Sequence, residues 1–232
     1  MYSSLVRLQN TFGFFTTVAF VVALLISASD FLSDRTPTVH VLKTTQLSTV
    51  LGRADYYSSK KEEYAVIKFT LDADLSSLFT WNTKQVFAYV TAEWPSAAQG
   101  NNATNQAVIW DTIITAPSSD HLGNFSPSKL KRLRKSANGK GIDPSRGKLQ
   151  IKNQRLKYPL THPTGKLAQT KDVRLKLHYN VQPWVGFLSW NQAQDWGKWK
   201  ALKNGLSKKF TLPAVKVKEQ AKKKTTTGGA KA

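Results

Sequence analysis

The residues that could do chemistry in this sequence are few and widely separated. The histidines are His40, His121, His162 and His178, and none has the HxxxH or HExxH spacing that places two metal ligands on one helix face. Cysteine is absent, which excludes a thiolate nucleophile, a disulfide and a Cys-ligated zinc ion. We interpret the histidines as exposed or structural residues.

Two Ser-x-x-Lys strings, at residues 58–61 and 126–129, have a spacing known from serine nucleophiles with a lysine partner. Such strings are expected by accident in a chain with 34 lysine and arginine residues, and both lie in predicted loops. Neither a GxSxG elbow nor a phosphate-binding glycine loop occurs. The neighbouring carboxylates Asp72 and Asp74 do not suggest an acid–base pair, because Asp74 is better explained as a helix cap. The sequence therefore predicts no enzyme, no cofactor and no metal site.

Positive charge is concentrated in two parts of the chain. The formal net charge is +20, yet residues 1–128 hold 8 basic and 10 acidic residues, whereas residues 129–176 hold 15 and 2. Residues 198–232 hold 11 basic residues and one acidic residue. Such runs attract phosphates, but aromatic residues are not interleaved with them as they are in single-strand binders. We therefore predict no specific nucleic-acid partner.

An uncharged run of 22 residues lies between Arg7 and Asp30. Its length suits a hydrocarbon layer of about 30 Å at a rise of 1.5 Å per residue. It predicts a transmembrane signal-anchor helix over residues 12–32, preceded by a short cytosolic arm over residues 1–11. The alternative is a cleaved signal peptide with small residues at 27–29, but the apolar run exceeds the usual ~7–15 residues. The flanking charges are nearly balanced, so a cytosolic N-terminus is expected mainly because the arm is short.

Two N-glycosylation sequons indicate where a lumenal domain could carry sugar. Asn102 begins one within a glycine- and asparagine-rich turn, and Asn124 begins a second that Pro127 weakens. Asn102 is the main candidate.

Alternation of apolar and polar residues dominates the rest of the chain and predicts strands. The expected strands are residues 39–45, 63–71, 83–94, 107–115, 148–160, 172–181 and 209–215, with a short helical turn at 74–80 capped by Asp74. Seven short strands without a long amphipathic helix predict an antiparallel β-sandwich over residues 33–215. We expect a basic loop over 116–147 and a disordered Lys-rich tail over 216–232.

The alternation also predicts which side chains face the core. One strand face is shared by Ala65, Ile67, Phe69 and Leu71, and another by Val86, Ala88, Val90 and Ala92, of which Val86, Val90 and Ala92 are expected to be core. Inward positions of the later strand are Val173, Leu175, Leu177 and Tyr179, with Arg174, Lys176 and His178 outward. Trp81 is open to two interpretations, core packing or partner contact. Asn82 is expected at a turn where unusual backbone angles are tolerated. The four tryptophans of residues 184–199 are compatible with core, a membrane-facing belt or a partner surface.

Three ordered motifs carry a family resemblance. The motifs are LFTWNTKQVFAY at residues 78–89, NQAVIWD at 105–111 and DVRLKLHYNVQPWVGFL at 172–188. They resemble the signal peptidase complex subunit 3 family, which is the lumenal glycoprotein subunit of that complex. Within the family, the chain resembles a member of fungal type. The resemblance runs from the N-terminal anchor to about Val215. The basic loop and the tail depart from the family pattern, and at Asp172 the sequon of animal members is missing.

The resemblance implies a single-pass type II protein of the endoplasmic reticulum membrane with a lumenal β-sandwich. It implies a non-catalytic subunit that braces the serine-protease subunit removing signal peptides from nascent secretory and membrane proteins. Implied partners are that subunit, the smaller membrane subunits, the lipid bilayer and the translocon. Candidate structural or partner-contact residues are Trp81, Asn82, Trp110, Asp111, Tyr179, Asn180 and Pro183. The alternative is a membrane-tethered or secreted carbohydrate- or lipid-binding β-sandwich using residues 184–199.

Overall fold

A computed structural model describes residues 3–54, 57, 59–96, 103–116 and 144–215, with the side chains of Pro144 and Ser145 excepted. In chain order its elements are α1 (Ser4–Phe31), β1 (Thr38–Gly52), β2 (Glu62–Asp74), a 3₁₀ turn (Ser76–Leu78), β3 (Thr83–Pro95), β4 (Thr104–Thr115), a second 3₁₀ turn (Pro144–Gly147), β5 (Lys148–Arg155), β6 (Leu160–Thr161), β7 (Arg174–Pro183) and β8 (Ser189–Trp190). The predicted architecture, one apolar helix followed by antiparallel strands, is confirmed. Asn102, Asn124, most of the basic loop and the tail lie outside the described residues.

Helix α1 is apolar on all sides and leaves its side chains uncovered over most of its length. It begins after Ser3, whose Oγ accepts a hydrogen bond from the backbone N–H of Val6 at 3.4 Å. Residues 3–22 are all exposed, and 28 residues give a length of about 42 Å. The helix is long and apolar enough to cross a membrane. It begins eight residues before the predicted span of 12–32, whose bounds within a bilayer stay a prediction.

The strands form two antiparallel sheets packed face to face. The first has the order β1-β2-β5, with β6 also pairing with β2, and the second has the order β4-β3-β7-β8. The seven positions predicted to be core or inward are buried, so that prediction is confirmed, and the five residues that share their faces are buried as well; Tyr179, at 3% exposure, is the most accessible of the twelve. Trp110 reaches across the core to Phe69, with ring centroids 6.0 Å apart in an edge-to-face arrangement.

Three predicted strands were wrong in extent. The strand predicted at 39–45 continues to Gly52 as β1. Residues 148–160 do not form one strand, because β5 ends at Arg155 and the N–H groups of Lys157 and Tyr158 both donate to Ile109 O of β4. Residues 209–215 form only isolated bridges, Phe210 with Val173 just before β7 and Val215 with Thr49 of β1. This last segment passes from one sheet to the other and closes the side of the sandwich, so it cannot pair continuously with either.

The sandwich has two distinct ends. Thr38 pairs with Asp74 and Thr83 pairs with Pro183 at the end that contacts α1, which we call the junction end. Gly52 and Pro95 lie at the opposite, distal end. At the junction end Asp74 accepts hydrogen bonds from the N–H and Oγ of Ser76. The prediction that Asp74 caps a helical turn was therefore wrong: the N-cap of the 3₁₀ turn is Leu75, without a side-chain cap bond, and Asp74 instead forms a polar turn with Ser76, two residues later.

Candidate functional site

A buried ion pair joins the end of α1 to the sandwich. Arg35 Nη2 donates to Asp30 Oδ2 at 2.7 Å, and the two residues are 3% and 8% exposed. Asp30 Oδ1 accepts a second hydrogen bond, 2.9 Å long, from Thr80 Oγ1 in the segment before β3. The last turn of α1 is thus bonded to a residue fifty positions later in the chain. We call this contact region the junction.

Arg35 extends the junction to the C-terminal part of the sandwich. Its Nη1 donates to Ser189 Oγ at 2.9 Å, and its guanidinium carbon lies 4.2 Å from the centre of the Trp199 ring. Its backbone N–H donates to Lys198 O at 3.2 Å, and its carbonyl accepts from Lys200 N at 2.7 Å. From the sequence alone, Arg35 is interpreted only as a charge that flanks the apolar run. An acidic residue that ends an uncharged run, followed five residues later by arginine, was the available signal.

Exposed apolar side chains surround the junction, and we call them the collar. They are Phe31, Leu32, Trp81, Trp184, Phe187, Leu188, Trp190 and Trp196. Phe31 packs against Trp196 and Trp199, with ring centroids 4.8 and 4.7 Å apart. The tryptophans of residues 184–199 do not share one environment. Trp199 is buried, as the core interpretation expects, whereas Trp190 and Trp196 are exposed, as a membrane-facing belt or a partner surface would require.

Asn82 holds the collar in place from the start of β3. Its Nδ2 donates to Val185 O at 2.6 Å, and its Oδ1 accepts from Val185 N at 3.1 Å. Its own carbonyl accepts from Trp184 N at 2.8 Å. Asn82 is not among the described residues with positive φ. The prediction that it serves unusual backbone angles was therefore wrong, since its amide instead clamps the segment after β7.

Trp81 is not a core residue, so the core-packing interpretation was wrong. It is 59% exposed, because it occupies the turn before β3 rather than an inward strand position. Nearby, Lys84 Nζ lies 5.2 Å from the centre of the Trp184 ring. Trp81 is therefore available for contact with a partner or with lipid.

The outer surface of the second sheet is rich in apolar and aromatic side chains. We call it the aromatic face; it comprises Phe87, Tyr89, Val108, Ile113 and His178. Phe87 stacks on Tyr89 at 5.3 Å, and Tyr89 stacks on His178 at 4.9 Å with 11° between the planes. Val108 and Ile113 of the edge strand β4 are exposed.

The outer surface of the first sheet is different in composition. We call it the polar face; it is formed by residues such as Lys43, Gln46, Lys68, Asp72 and Arg155, which share the side opposite the core. The sandwich therefore has one polar outer face and one partly apolar outer face. The second also carries ion-paired groups, Glu93 with Arg174 and Lys176 and Asp111 with Lys157. Its aromatic side chains nevertheless make it the closer match to the centre of a protein interface, which is enriched in aromatic residues.

His178 was predicted to point outward, and although it lies on the outer face it is only 8% exposed. Its Nε2 is 3.0 Å from Thr91 Oγ1 and 3.3 Å from Gln106 Nε2, and its Nδ1 is 3.4 Å from Asn191 Oδ1. Burial, reinforced by the charge of Lys176, holds the pKa of His178 below its usual value.

The His178–Thr91 contact has the atoms of a base and a hydroxyl nucleophile, yet it does not form a reaction centre. Thr91 is buried within β3, so a substrate carbonyl cannot reach its hydroxyl. The partner of the other ring nitrogen is an amide oxygen rather than a carboxylate. In the part of the chain that is described, no group of three His, Cys, Asp or Glu residues could hold a metal ion. Both Ser-x-x-Lys strings include residues outside that part.

The other predicted site residues are structural. Trp110 and Tyr179 are buried in the core, and burial raises the pKa of the Tyr179 hydroxyl. Asn180 is buried and donates from Nδ2 to Ser189 O at 3.2 Å, which fixes β8 to β7. Asp111 forms an ion pair with Lys157, whose Nζ lies 2.8 Å from Asp111 Oδ1, and this contact lowers the pKa of the Asp111 carboxyl. Pro183 ends β7 opposite Thr83.

A single apolar helix fixed to a β-sandwich, with an exposed collar and an aromatic outer face, defines a tethered partner-binding protein. A family model described as signal peptidase subunit matches residues 1–131 and 142–201. The chain belongs to that family. The match includes both α1 and the sandwich and ends before the Lys-rich tail.

Individual relatives agree with this assignment. A Saccharomyces cerevisiae protein named signal peptidase complex subunit 3 is 30% identical over 202 residues, covering 83% of this chain and 92% of the relative. Proteins of the same name from Yarrowia lipolytica and Homo sapiens are 28% and 29% identical. Those alignments cover 80% and 81% of this chain and 89% and 80% of the relatives. The resemblance drawn from the three motifs is confirmed.

Proposed function

We propose that this protein is a non-catalytic accessory subunit of the endoplasmic reticulum signal peptidase complex. The observation that carries the proposal is the family match, which extends over the helix and the sandwich together rather than over one of them. The relatives' shared name supplies the complex. The buried polar groups of the sandwich are engaged in structural bonds, as Asn82, Asn180 and His178 illustrate.

The proposed orientation places the N-terminal arm in the cytosol and the sandwich in the lumen. Helix α1 presents uncovered apolar side chains over residues 3–22, which suits a lipid environment and contact with other membrane helices. The smaller membrane subunits of the complex are its natural neighbours there. The translocon is a further neighbour of a complex that acts on nascent chains.

The aromatic face is the surface that we assign to the catalytic serine-protease subunit. Its exposed Val108 and Ile113 lie on an edge strand, so a partner can combine apolar packing with backbone pairing. A partner that docked on the polar face would have to remove water from mostly charged groups. This desolvation costs free energy unless the partner supplies matching groups. Docking on the aromatic face would hold the catalytic subunit beside the sandwich, close to the bilayer.

Affinity capture from detergent-solubilised membranes tests both the complex and the face. The full-length chain is expected to retain a serine-protease chain and smaller membrane chains, identified by mass spectrometry. Ile113→Arg, combined with Val108→Arg, is expected to lose the protease chain because two charges are buried without partners. The matched control is Val66→Arg on the polar face, which should retain it.

Two results would contradict the proposal. Capture of no membrane chains by the unaltered protein would reject the accessory-subunit function. Equal retention by the Ile113 and Val66 variants would reject the aromatic face as the docking surface while leaving that function intact. The family match does not favour the alternative of a carbohydrate- or lipid-binding β-sandwich.

A further inference from the structure

The loop over residues 184–190 lies beside the end of α1 rather than above it. Gly186, with φ of +126°, approaches so closely that an added Cβ would lie 3.0 Å from Ser27 Oγ. Ile26 and Ser27 are half-buried, whereas residues 3–22 of the same helix are exposed. The sandwich therefore reaches alongside the last turns of the helix.

The contact with Ser27 fixes the depth of this loop. The uncharged run of α1 ends at Asp30, and Ser27 precedes it by three residues, or about 4.5 Å of helix rise. Gly186 thus lies at a level where the helix is still uncharged. Its neighbours Phe187 and Leu188 are 85% and 59% exposed at that level, where a membrane-spanning helix is surrounded by lipid.

The loop is held rigidly in this position. Asn82 clamps Val185 through two hydrogen bonds. At the other end of the loop, the carbonyl oxygen of Ser189 accepts from Asn180 Nδ2, and its Oγ accepts from Arg35 Nη1. Phe187 and Leu188 are therefore presented between two fixed points, so their exposure is built into the fold.

We propose that Phe187 and Leu188 insert into the leaflet from which α1 emerges, at the boundary between headgroups and acyl chains. Trp81, Trp184, Trp190 and Trp196 flank them as aromatic side chains suited to the interface. The loop is then a second membrane contact beside the helix, reaching about 5–10 Å into the boundary region as interfacial apolar groups do. This inference rests on the membrane anchoring in the proposed function. The occupant is lipid rather than protein because the loop lies at the depth of the helix's uncharged run.

Fluorophore labelling at single cysteines tests the insertion, and the absence of native cysteine makes each label unique. The full chain carrying Phe187→Cys is labelled with an environment-sensitive fluorophore and reconstituted alone into phosphatidylcholine vesicles. Leu51→Cys, also exposed but at the distal end, is the matched control, and Val21→Cys within α1 reports insertion of the helix. Quenchers are lipids that carry a nitroxide either at the headgroup or deep on the acyl chain.

The label at residue 187 is expected to emit at shorter wavelength than that at residue 51. It should be quenched most by shallow nitroxides, whereas the label at residue 21 should be quenched most by deep ones. Quenching at 21 with none at 187 would overturn the inference and leave the helix anchor standing. No quenching at 21 would reject the anchor and the inference together. A blue shift at 187 that requires added partner subunits would assign the loop to a protein contact and overturn lipid insertion.

Discussion

Asp30 and Arg35 show at the scale of single residues how the helix is fixed to the sandwich. Two buried charges lose much of their hydration, so the pair is stable only because each group has further partners. Asp30 has Thr80, and Arg35 has Ser189 and the ring of Trp199. The sequence reveals the positions of the charges relative to the apolar run. It does not reveal the pairing, because Thr80 and Ser189 are brought in by strands far along the chain.

Replacing Arg35 by methionine should destabilise the protein strongly. The change leaves Asp30 buried without its cation, which costs about 3–5 kcal/mol. Thermal unfolding of the detergent-solubilised full chain, followed by near-UV circular dichroism, measures the loss. Lys198→Met is the control, because it breaks an ion pair with Asp34 whose side chains are 60% and 72% exposed; it should cost less than about 1 kcal/mol. Equal effects of the two substitutions would contradict the role of the junction.

A pH dependence should follow from the burial of His178. Its folded-state pKa is lowered by desolvation, whereas the unfolded chain returns it to about 6.5. The unfolded state therefore takes up the proton first, so the contribution is complete above about pH 6.5 and is lost progressively below it. Glu93 and Lys176 are the charged groups that act on the ring.

The measurement is the unfolding midpoint between about pH 7 and pH 5, above the range in which carboxylates titrate. His178→Gln should flatten the decline, because glutamine keeps a polar contact with Thr91 but takes up no proton. His40→Gln, at an exposed position of β1, is the matched control. An unchanged slope in the His178 variant would show that its burial does not contribute to the pH dependence.

At the scale of elements, the strands follow from alternation because one face of each is buried against the other sheet. This pattern located β2, β3, β4 and β7, and it identified the buried side chains of β2, β3 and β7. It failed for residues 209–215, where Phe210 and Val215 bridge different sheets, because alternation does not distinguish a strand from an extended segment that joins two sheets. It also failed for Trp81, since a turn residue has no alternating neighbours from which its burial can be read.

The contact between the two 3₁₀ turns depends on Gly147. A Cβ at this position would meet the backbone of Leu75 and Ser76, where Leu75 N also donates to Gly147 O at 2.9 Å. Gly147→Ala is therefore expected to cost roughly 1–3 kcal/mol through forced displacement of the backbone. Gly13→Ala in α1 meets nothing within 4 Å and should be neutral. A Gly147 variant with the unaltered unfolding midpoint would contradict the close contact.

At the scale of the whole molecule, the described residues that flank the two sequons lie at opposite ends of the sandwich. Asn102 follows β3 and precedes β4, whose paired ends Pro95 and Thr104 are distal. Asn124 lies in the chain between Ala116 and Gly147, both of which are at the junction end. We therefore expect a lumenal glycosylating enzyme to reach Asn102 more readily, because the described residues that flank it, Pro95 and Thr104, lie at the end of the sandwich away from α1. The sequence named both asparagines but could not place them relative to the membrane.

Glycosylation in microsomes tests this arrangement and the proposed orientation together. The full chain should show one shift in mobility that is removed by peptide N-glycosidase. Asn102→Gln should abolish the shift, and Asn124→Gln should leave it unchanged. Loss of the shift in the Asn124 variant alone would contradict the expected preference for Asn102. Absence of any shift in the unaltered chain would count against the lumenal orientation.

The short connection between α1, which ends at Phe31, and β1, which begins at Thr38, has a mechanical consequence. Because the ion pair between Asp30 and Arg35 fixes this connection, the helix and the sandwich tilt together as one rigid body. Strand β3 has 13 residues, so the sandwich is roughly 40 Å long. An average helix tilt of about 20° would move its far tip sideways by about 14 Å. A thinner or thicker bilayer would thus swing whatever the sandwich carries along the membrane surface.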